Sequence, residues 1–452
     1  MSSMHEMKEY VDKHIEETLD NLFRLIRLPT VTAKGGEYSN QAIKELARIF
    51  GGLGFKTKVF PTKGQPVFTA HLDQGHPRTI LFYDHYDVQP AEPFDLWDSP
   101  PFEPEVRDGK IYGRGVADNK GEITVRASAI KMLLDLKGEI PVNIRFVIEG
   151  EEETSSPNLG DFAREHSEFL QADAGVWEFG GTNVNGIQQI WGGVKGICYV
   201  QLKTTGPKKD LHSANGTIVQ NPANHLVAAL ASLRDDQTDQ ISIKGHYDQV
   251  VPPSQELLHA IERLVPHFDE TKMKEEFGIS QFINDLTGNK LLQKYYLEPT
   301  CTICGIWSGW QGAGSKTVLP AVAQAKIDFR LVPNQTPDTI IQNLKRHFEA
   351  HGFNIEIEWW DGYNPAYTDI SHPFVQHLAN TMAEVYGHEP LVHPWSPGSG
   401  PLYLFTEYVP MLSIGVAYQG SNGHSPNENL ILEDFKMGQL CIARLLESMD
   451  KM

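Results

Sequence analysis

An α/β domain split by a smaller inserted α+β lid is the fold class that this 452-residue sequence predicts, on three observations. Strand-like apolar runs alternate with amphipathic helices through the first 194 residues, the pattern of a sheet covered on both faces. Near residue 195 the strands change to half-solvated alternation. Beyond residue 366 the first style resumes. The expected organisation is 1–194 as the first part of the α/β domain, 195–365 as the lid, and 366–452 as the second part of the α/β domain.

The elements follow in order. The stretch up to Pro29 has the periodicity of an amphipathic helix, and "NQAIKELARIFGGLGF" that of a second, ended by glycines. Strand-like runs come at "TKVF", "VFTAHL" and "TILFYDHYDV", followed by a Pro- and Trp-rich loop from Gln89 to Gly121. A helix over "EITVRASAIKMLLDL" and a buried strand over "PVNIRFVIEG" complete this first run. In the lid, "GICYVQLKTT" is a strand and "QNPANHLVAALASL" a helix with Asn221 as its cap and Pro222 in its first turn. A helical insertion is expected near residues 253–295, then a strand at "AQAKIDFRLVP", a helix at "PDTIIQNLKRHFEAHG" and a strand at "FNIEIEWW". The helix "HPFVQHLANTMAEVYG", the strand "PMLSIGVAY" and the helix "LEDFKMGQLCIARLLESM" return to the α/β style.

Composition narrows the function. Hydrophobic residues make up 40% and charged residues 21%, ordinary for a globular protein, and no apolar run approaches the roughly 18 residues a membrane span needs. The formal charge of −19 argues against nucleic acid or anionic membranes as partners. The N-terminal stretch lacks the apolar core of a signal peptide, so the expected location is the cytoplasm. Four cysteines make no disulfide framework, and Cys301 and Cys304 form a lone CxxC without the second pair that a structural zinc site would need.

The chemistry lies where acids and imidazoles end apolar runs. "LFYDHYDVQP" carries Asp84, His85 and Asp87 at the mouth of a strand, and "GRGVADNKG" sets Asp118 in a glycine-rich loop before a helix. "FVIEGEEETSSP" ends in Glu149, Glu151, Glu152 and Glu153, "DAGVWEFGG" ends in Glu178, and "GHSPNENL" presents His424. Ligands of open α/β sheets gather outside the carboxyl ends of the strands, so five segments deliver His, Asp, Glu, Glu and His to one region. Two imidazoles and three carboxylates suit a pair of zinc ions, or manganese or cobalt in a similar cage, and a carboxylate shared by two ions is the recurring device of two-metal hydrolases.

The strings "HYDVQP", "GRGVADNKG", "EGEEE", "VWE", "LHS", "FRLVPN" and "GHSPNE" span residues 85 to 428. In that order they resemble the dinuclear-zinc metallopeptidase family of carnosinases, cytosolic non-specific dipeptidases, glutamate carboxypeptidases, aminoacylases and succinyl-diaminopimelate desuccinylases, the dipeptidase branch above all. The resemblance implies a di-zinc aminopeptidase/carboxypeptidase-like catalytic domain with a mixed central sheet, interrupted by a ferredoxin-like lid through which two chains form a homodimer. It implies two divalent ions per chain: one held by His85 and Glu178, the other by Glu153 and His424, with Asp118 shared. Asp87 would orient His85, the Asp118–Asn119 peptide would be cis, and Asp84 stands where the family usually has glycine, which would add negative charge beside the ligands.

By the same resemblance Glu152 is the general base for a water that attacks the amide carbon of a small peptide. A shift of one residue in "GEEET" would instead make Glu151 the base and Glu152 the ligand. His212 matches the histidine that stabilises the oxyanion, acting in the partner's active site, and Arg330 the arginine that grips the substrate carboxylate. Thr317 and Ser399 are further candidate substrate contacts. The implied activity is hydrolysis of dipeptides or short peptides with a free C-terminal carboxylate. The alternatives are an N-acyl-amino-acid amidohydrolase on the same core, or an inactive relative serving as a binding scaffold. The last predicts a lost ligand or base, yet His85, Asp118, Glu152, Glu153, Glu178 and His424 are all present.

Overall fold

The computed structural model describes residues 3–452, apart from the side chains of Trp360 and Asp361. Two compact units emerge: one takes the chain up to Gly193 together with Tyr367–Pro394 and Leu404–Met452, the other Val194–Ala366 and Trp395–Tyr403.

In the first unit, eight strands build one sheet: β1 (Lys56–Phe60), β2 (Val67–Leu72), β3 (Thr79–His85), β4 (Asn143–Glu149), β5 (Ala174–Trp177), β6 (Gln189–Trp191), β7 (Leu391–His393) and β8 (Met411–Ser413). Their order is β1-β2-β4-β3-β5-β8-β6-β7. The sheet is mixed: β4, β3, β5 and β8 run parallel to one another, as do β6 and β7, while β1–β2, β2–β4 and β8–β6 are antiparallel. Because β4, β3 and β5 are adjacent and parallel, their carboxyl ends open on one edge, where β4 ends in Glu149, β3 ends in His85 and Glu178 directly follows β5. The α/β class with a mixed central sheet is thus borne out.

The five longest helices of this unit among the described residues are, in sequence, α1 (Met4–Ile26), α2 (Ser39–Gly52), α3 (Lys120–Lys137), α4 (Pro373–Tyr386) and α5 (Leu432–Ser448). Ser3 and Glu6 make a capping box at the start of α1, satisfying amides that the helix leaves unpaired. The α3 helix packs on α1 and α5, and α5 on α4, in one core with the buried side chains of β2, β3 and β4. Lys120, fully buried at the start of α3, donates to the carbonyls of Leu25 and Leu28 at the end of α1, and burial draws its ammonium down to about 7. That tie fixes the loop ahead of α3.

The second unit has the β-α-β-β-α-β order. Its strands are Gly196–Thr205, Thr302–Ser308, Val322–Leu331 and Glu356–Tyr363, and its two framing helices Pro222–Ala231 and Pro337–Ala350. In space the second strand lies beside the third, then the first, then the fourth, all antiparallel. Asn221 caps its helix as expected, accepting from the Ala223 amide. The expected helical insertion consists of Gln255–Leu264, Glu270–Phe277 and Gly288–Leu297.

Two differences from the sequence expectation matter. The strand Thr302–Ser308 was not foreseen; an irregularity between Ile303 and Gly305 interrupts its pairing and blurs its alternation. Residues 395–403, expected with the α/β domain, group with the second unit. There Trp395 donates its indole N–H to the Tyr296 carbonyl, Lys195 donates its amide to Ser396, and the Ser399 hydroxyl donates to Gly196.

Candidate metal centre

The site is assembled by strand ends and two braced loops. His85 is the last residue of β3, and Glu178 directly follows β5. Asn119 links them: its side-chain oxygen accepts from the His85 amide at 3.2 Å, and its amide group donates to the Glu178 carbonyl at 2.7 Å. The Asp118–Asn119 peptide is cis, as the resemblance implied.

The loop that carries Asp118 is built around one carboxylate. Glu428, fully buried, accepts from the amides of Gly115, Ala117 and Asp118 at 2.8–3.1 Å and from the Arg114 guanidinium at 2.7 Å. A short strand, Asn429–Ile431, pairs antiparallel with Lys110–Tyr112, so the segment bearing His424 and Glu428 is laced to the segment bearing Asp118. Gly121 allows the close approach of α3: a Cβ there would sit 2.0 Å from the Val116 carbonyl oxygen.

Two groups of side chains result, His85–Asp118–Glu178 and Asp118–Glu153–His424, with the ligand atoms of each within 4.8 Å of one another. Asp118 belongs to both. Its Oδ1 lies 2.9 Å from His85 Nε2 and its Oδ2 3.0 Å from His424 Nε2, while Glu153 Oε2 lies 3.2 Å from the same His424 nitrogen. His85 is fully buried, and the His424 side chain is 56% exposed, so the groups run from the sheet edge to solvent.

Asp87 ties the imidazole to the glutamate-rich turn. Its carboxylate lies 3.4 Å from His85 Nδ1 and accepts from the amides of Glu152 and Glu153 at 3.3 and 3.1 Å. Gln89 donates both its backbone and side-chain N–H groups to the Glu153 carboxylate. The Glu151 carboxylate instead accepts from Asn158 Nδ2 at 2.7 Å. Within "GEEET", then, Glu153 joins a ligand group and Glu151 faces elsewhere.

The electrostatics fit cations. Burial, joined by the charges of Asp118 and Glu153 and opposed by His85, pushes the Glu152 carboxyl up to about 8. Burial and the neighbouring Glu152 likewise hold Glu178 well above the carboxylate range. Burial opposes ionisation of Asp118 too, but there the hydrogen bonds with His424 and His85 prevail and hold it well below the ordinary value. Carboxylates crowded in a half-buried cleft with two imidazoles are the oxygen and nitrogen donors that zinc, manganese or cobalt take.

Asp84 requires a correction. It adds no charge to the ligand groups, because its carboxylate turns to the Arg126 guanidinium at 2.7 Å, both side chains being fully buried. Sequence reasoning also passed over Asn119, Glu428 and Gln89, although each sits inside or beside a quoted string.

The other expected site residues lie in the second unit. His212 is exposed; its Nδ1 accepts from the Ala214 amide at 3.1 Å and its Nε2 lies 3.3 Å from the Thr317 hydroxyl. Arg330 donates from Nη1 to the Ser399 hydroxyl at 2.8 Å, and its Nη2 lies 3.1 Å from Asp328. So His212 meets Thr317 and Arg330 meets Ser399.

Comparison with known proteins gives a consistent picture. The sequence model of peptidase family M20/M25/M40 matches residues 81–448. The chain is 29% identical to the Beta-Ala-His dipeptidase of Rattus norvegicus, over 86% of this chain and 80% of that protein. It is also 29% identical to the Cys-Gly metallodipeptidase dug1 of Schizosaccharomyces pombe, over 96% of each. Among solved structures it is similar to the M20 family metallo-carboxypeptidase Sso-CP2 of Sulfolobus solfataricus, with 35% identity, a TM-score of 0.88 and coverage of 95% of this chain and 98% of that one.

Proposed function

The chain belongs to peptidase family M20/M25/M40 and is a metal-dependent hydrolase of the dipeptidase type; from that premise we propose that it cleaves the amide bond of dipeptides, or of short peptides, that end in a free carboxylate. The observation that carries this is the pair of donor groups sharing Asp118, with Glu152 beside them. The dipeptidase relatives favour peptide over N-acyl-amino-acid substrates, and six intact acids and imidazoles disfavour an inactive scaffold.

In this proposal His85, Asp118 and Glu178 hold one divalent ion, and Asp118, Glu153 and His424 hold a second, zinc being the metal that this donor set suits best. Bound there, the ions would supply Lewis-acid polarisation of the scissile carbonyl and a lowered pKa for the attacking water. The chain does the rest. Glu152 takes the water's proton and returns it to the leaving amine. Asp87 holds His85 in one orientation and, through two amides, holds the turn that presents Glu152. His212, oriented by Thr317, donates to the developing oxyanion. Arg330, steadied by Ser399 and Asp328, takes the substrate carboxylate. All four cysteines are free thiols, which supports a reducing, cytoplasmic location, and among the described residues no helix is long and apolar enough to cross a membrane.

The carboxylate requirement is tested at Arg330. Arg330→Ala is expected to raise KM about 10- to 100-fold for substrates with a free C-terminus, the scale of a lost charged hydrogen bond, with a smaller change in kcat. C-terminally amidated substrates are expected to be poor for the parent and indifferent to the substitution. Equal turnover of free and amidated substrates would remove Arg330 from this role.

The second unit is proposed to serve as a lid through which two chains pair, with His212 completing the partner's site. One of its two edge strands, Thr302–Ser308, exposes Ile303 and Ile306, which suits an interface. Mixing Glu152→Gln and His212→Ala proteins, each nearly inactive, tests this. Random re-pairing of equal amounts makes about half the dimers mixed, each with one whole site, so roughly a quarter of parent activity should return. With subunit exchange verified independently, no recovery means that His212 serves its own chain.

A further inference from the structure

The parallel ladder between β3 and β5 stops short of the metal groups. Its last pair is Phe82 with Val176, yet the residues that matter, His85 and Glu178, lie beyond it. At that point a side chain takes over from the backbone. Arg126, on α3, donates from Nη1 to the Tyr83 carbonyl at 2.8 Å and from Nη2 to the Trp177 carbonyl at 2.8 Å. The guanidinium lies over the Phe82 ring, 5.4 Å from its centroid. A planar guanidinium fork suits this span, which a single ammonium could not bridge with the same geometry.

The cation so placed is fully buried next to Glu178, and a buried charge is tolerated only when paired. Asp84 supplies the pairing: Oδ1 accepts from Arg126 at 2.7 Å, while Oδ2 has no hydrogen-bond partner among the described residues. With one hydrogen bond made and one oxygen unused, the chief contribution of Asp84 is its charge. The aspartate that replaces the usual glycine, and the arginine reached from α3, therefore explain each other.

We propose that Asp84 and Arg126 form a positioning pair for the His85–Asp118–Glu178 group, Arg126 tying together the strand ends that deliver two of its ligands and Asp84 cancelling the positive charge this brings beneath them. The inference rests on the assignment of the two metal groups above. It predicts a selective effect: weakening the pair lowers cation affinity at that group and spares Asp118–Glu153–His424.

The test is a titration of metal-free, full-length protein with Zn²⁺ alone against a competing chelating dye. The parent shows whether two ions bind; fewer than two would overturn the metal assignment and this proposal with it. In a His424→Ala background, which leaves the first group, adding Asp84→Asn keeps the hydrogen bond but exposes the ligands to an uncancelled charge. Zn²⁺ affinity is expected to fall about tenfold or more. In a Glu178→Ala background, which leaves the second group, the same change is expected to stay within about twofold, since the added charge lies farther away. Arg126→Lys, which keeps the charge and loses the fork, is expected to give the same selective loss and serves if Asp84→Asn does not fold. Unchanged affinity in the His424→Ala background, or equal weakening in both, would overturn the pair's role and leave the metal assignment standing.

Discussion

Glu152→Gln is expected to lower kcat by about two to four orders of magnitude, the usual reach of general acid–base and electrostatic contributions, while the protein keeps its full metal content. The substitution is isosteric, and Glu152 belongs to neither ligand group, so the ion sites keep their donors. Its backbone amide, not its carboxylate, makes the bond to Asp87 that shapes the turn, so the turn should survive as well. What disappears is a carboxylate that can accept a proton amid His85, Asp118 and Glu153. The neighbouring acids provide the controls. Glu153→Gln is expected to lose an ion, and Glu151→Gln, whose carboxylate is engaged by Asn158, to keep both ions and most activity. Metal analysis and steady-state kinetics on the three variants decide the matter. A Glu152→Gln enzyme with parental kcat, or one that has lost an ion, would sink the assignment of Glu152 as base.

How far the sequence could be read depended on element length and on the range of the contacts. Helices of 14 to 23 residues, such as α1, α2 and α5, show their buried stripes plainly, and the ten-residue strand Gly196–Thr205 shows its alternation. Three-residue strands cannot, unless, as with β8, they sit inside a longer apolar run. The sheet members β6 and β7 went unseen because periodicity has no meaning over Gln189–Trp191 or Leu391–His393. In Thr302–Ser308 the irregular pairing around Ile303–Gly305 breaks the pattern.

The candidate ligands were legible because each ends an apolar run within a distinctive short string. Their supports were not, since these act across distances that no local pattern encodes. Glu428 reaches the Asp118 amide from 310 positions away, and Arg126 reaches Asp84 from 42. The charge of Asp84 could be counted from the sequence, but its direction could not. Only the placement of α3 beneath the β3–β5 edge shows that a partner cancels it.

The shared carboxylate carries the other large expectation. Asp118→Ala should leave each donor group with two side chains, His85 with Glu178 and Glu153 with His424, too few to hold a zinc ion that normally takes three or four protein ligands. The loss extends to the metal-free protein, because the anion whose oxygens lie 2.9 and 3.0 Å from the two imidazoles is gone and Glu153 alone faces His424. Metal content is therefore expected to fall from two ions to less than one, and kcat/KM by about four orders of magnitude or more, since the metal contribution goes together with the geometry that serves Glu152. A calorimetric readout separates this variant from Glu152→Gln without relying on activity. For a ligand that binds only the folded state, a free concentration of about 100 times Kd adds about 2.7 kcal/mol of stability per site. Parent and Glu152→Gln proteins should both show a rise in Tm when Zn²⁺ is added to the metal-free form, and Asp118→Ala should show almost none. An Asp118→Ala protein that still binds two ions, or gains the parental rise in Tm, would mean that the two groups do not depend on a common carboxylate, and the two-metal proposal would fall with it.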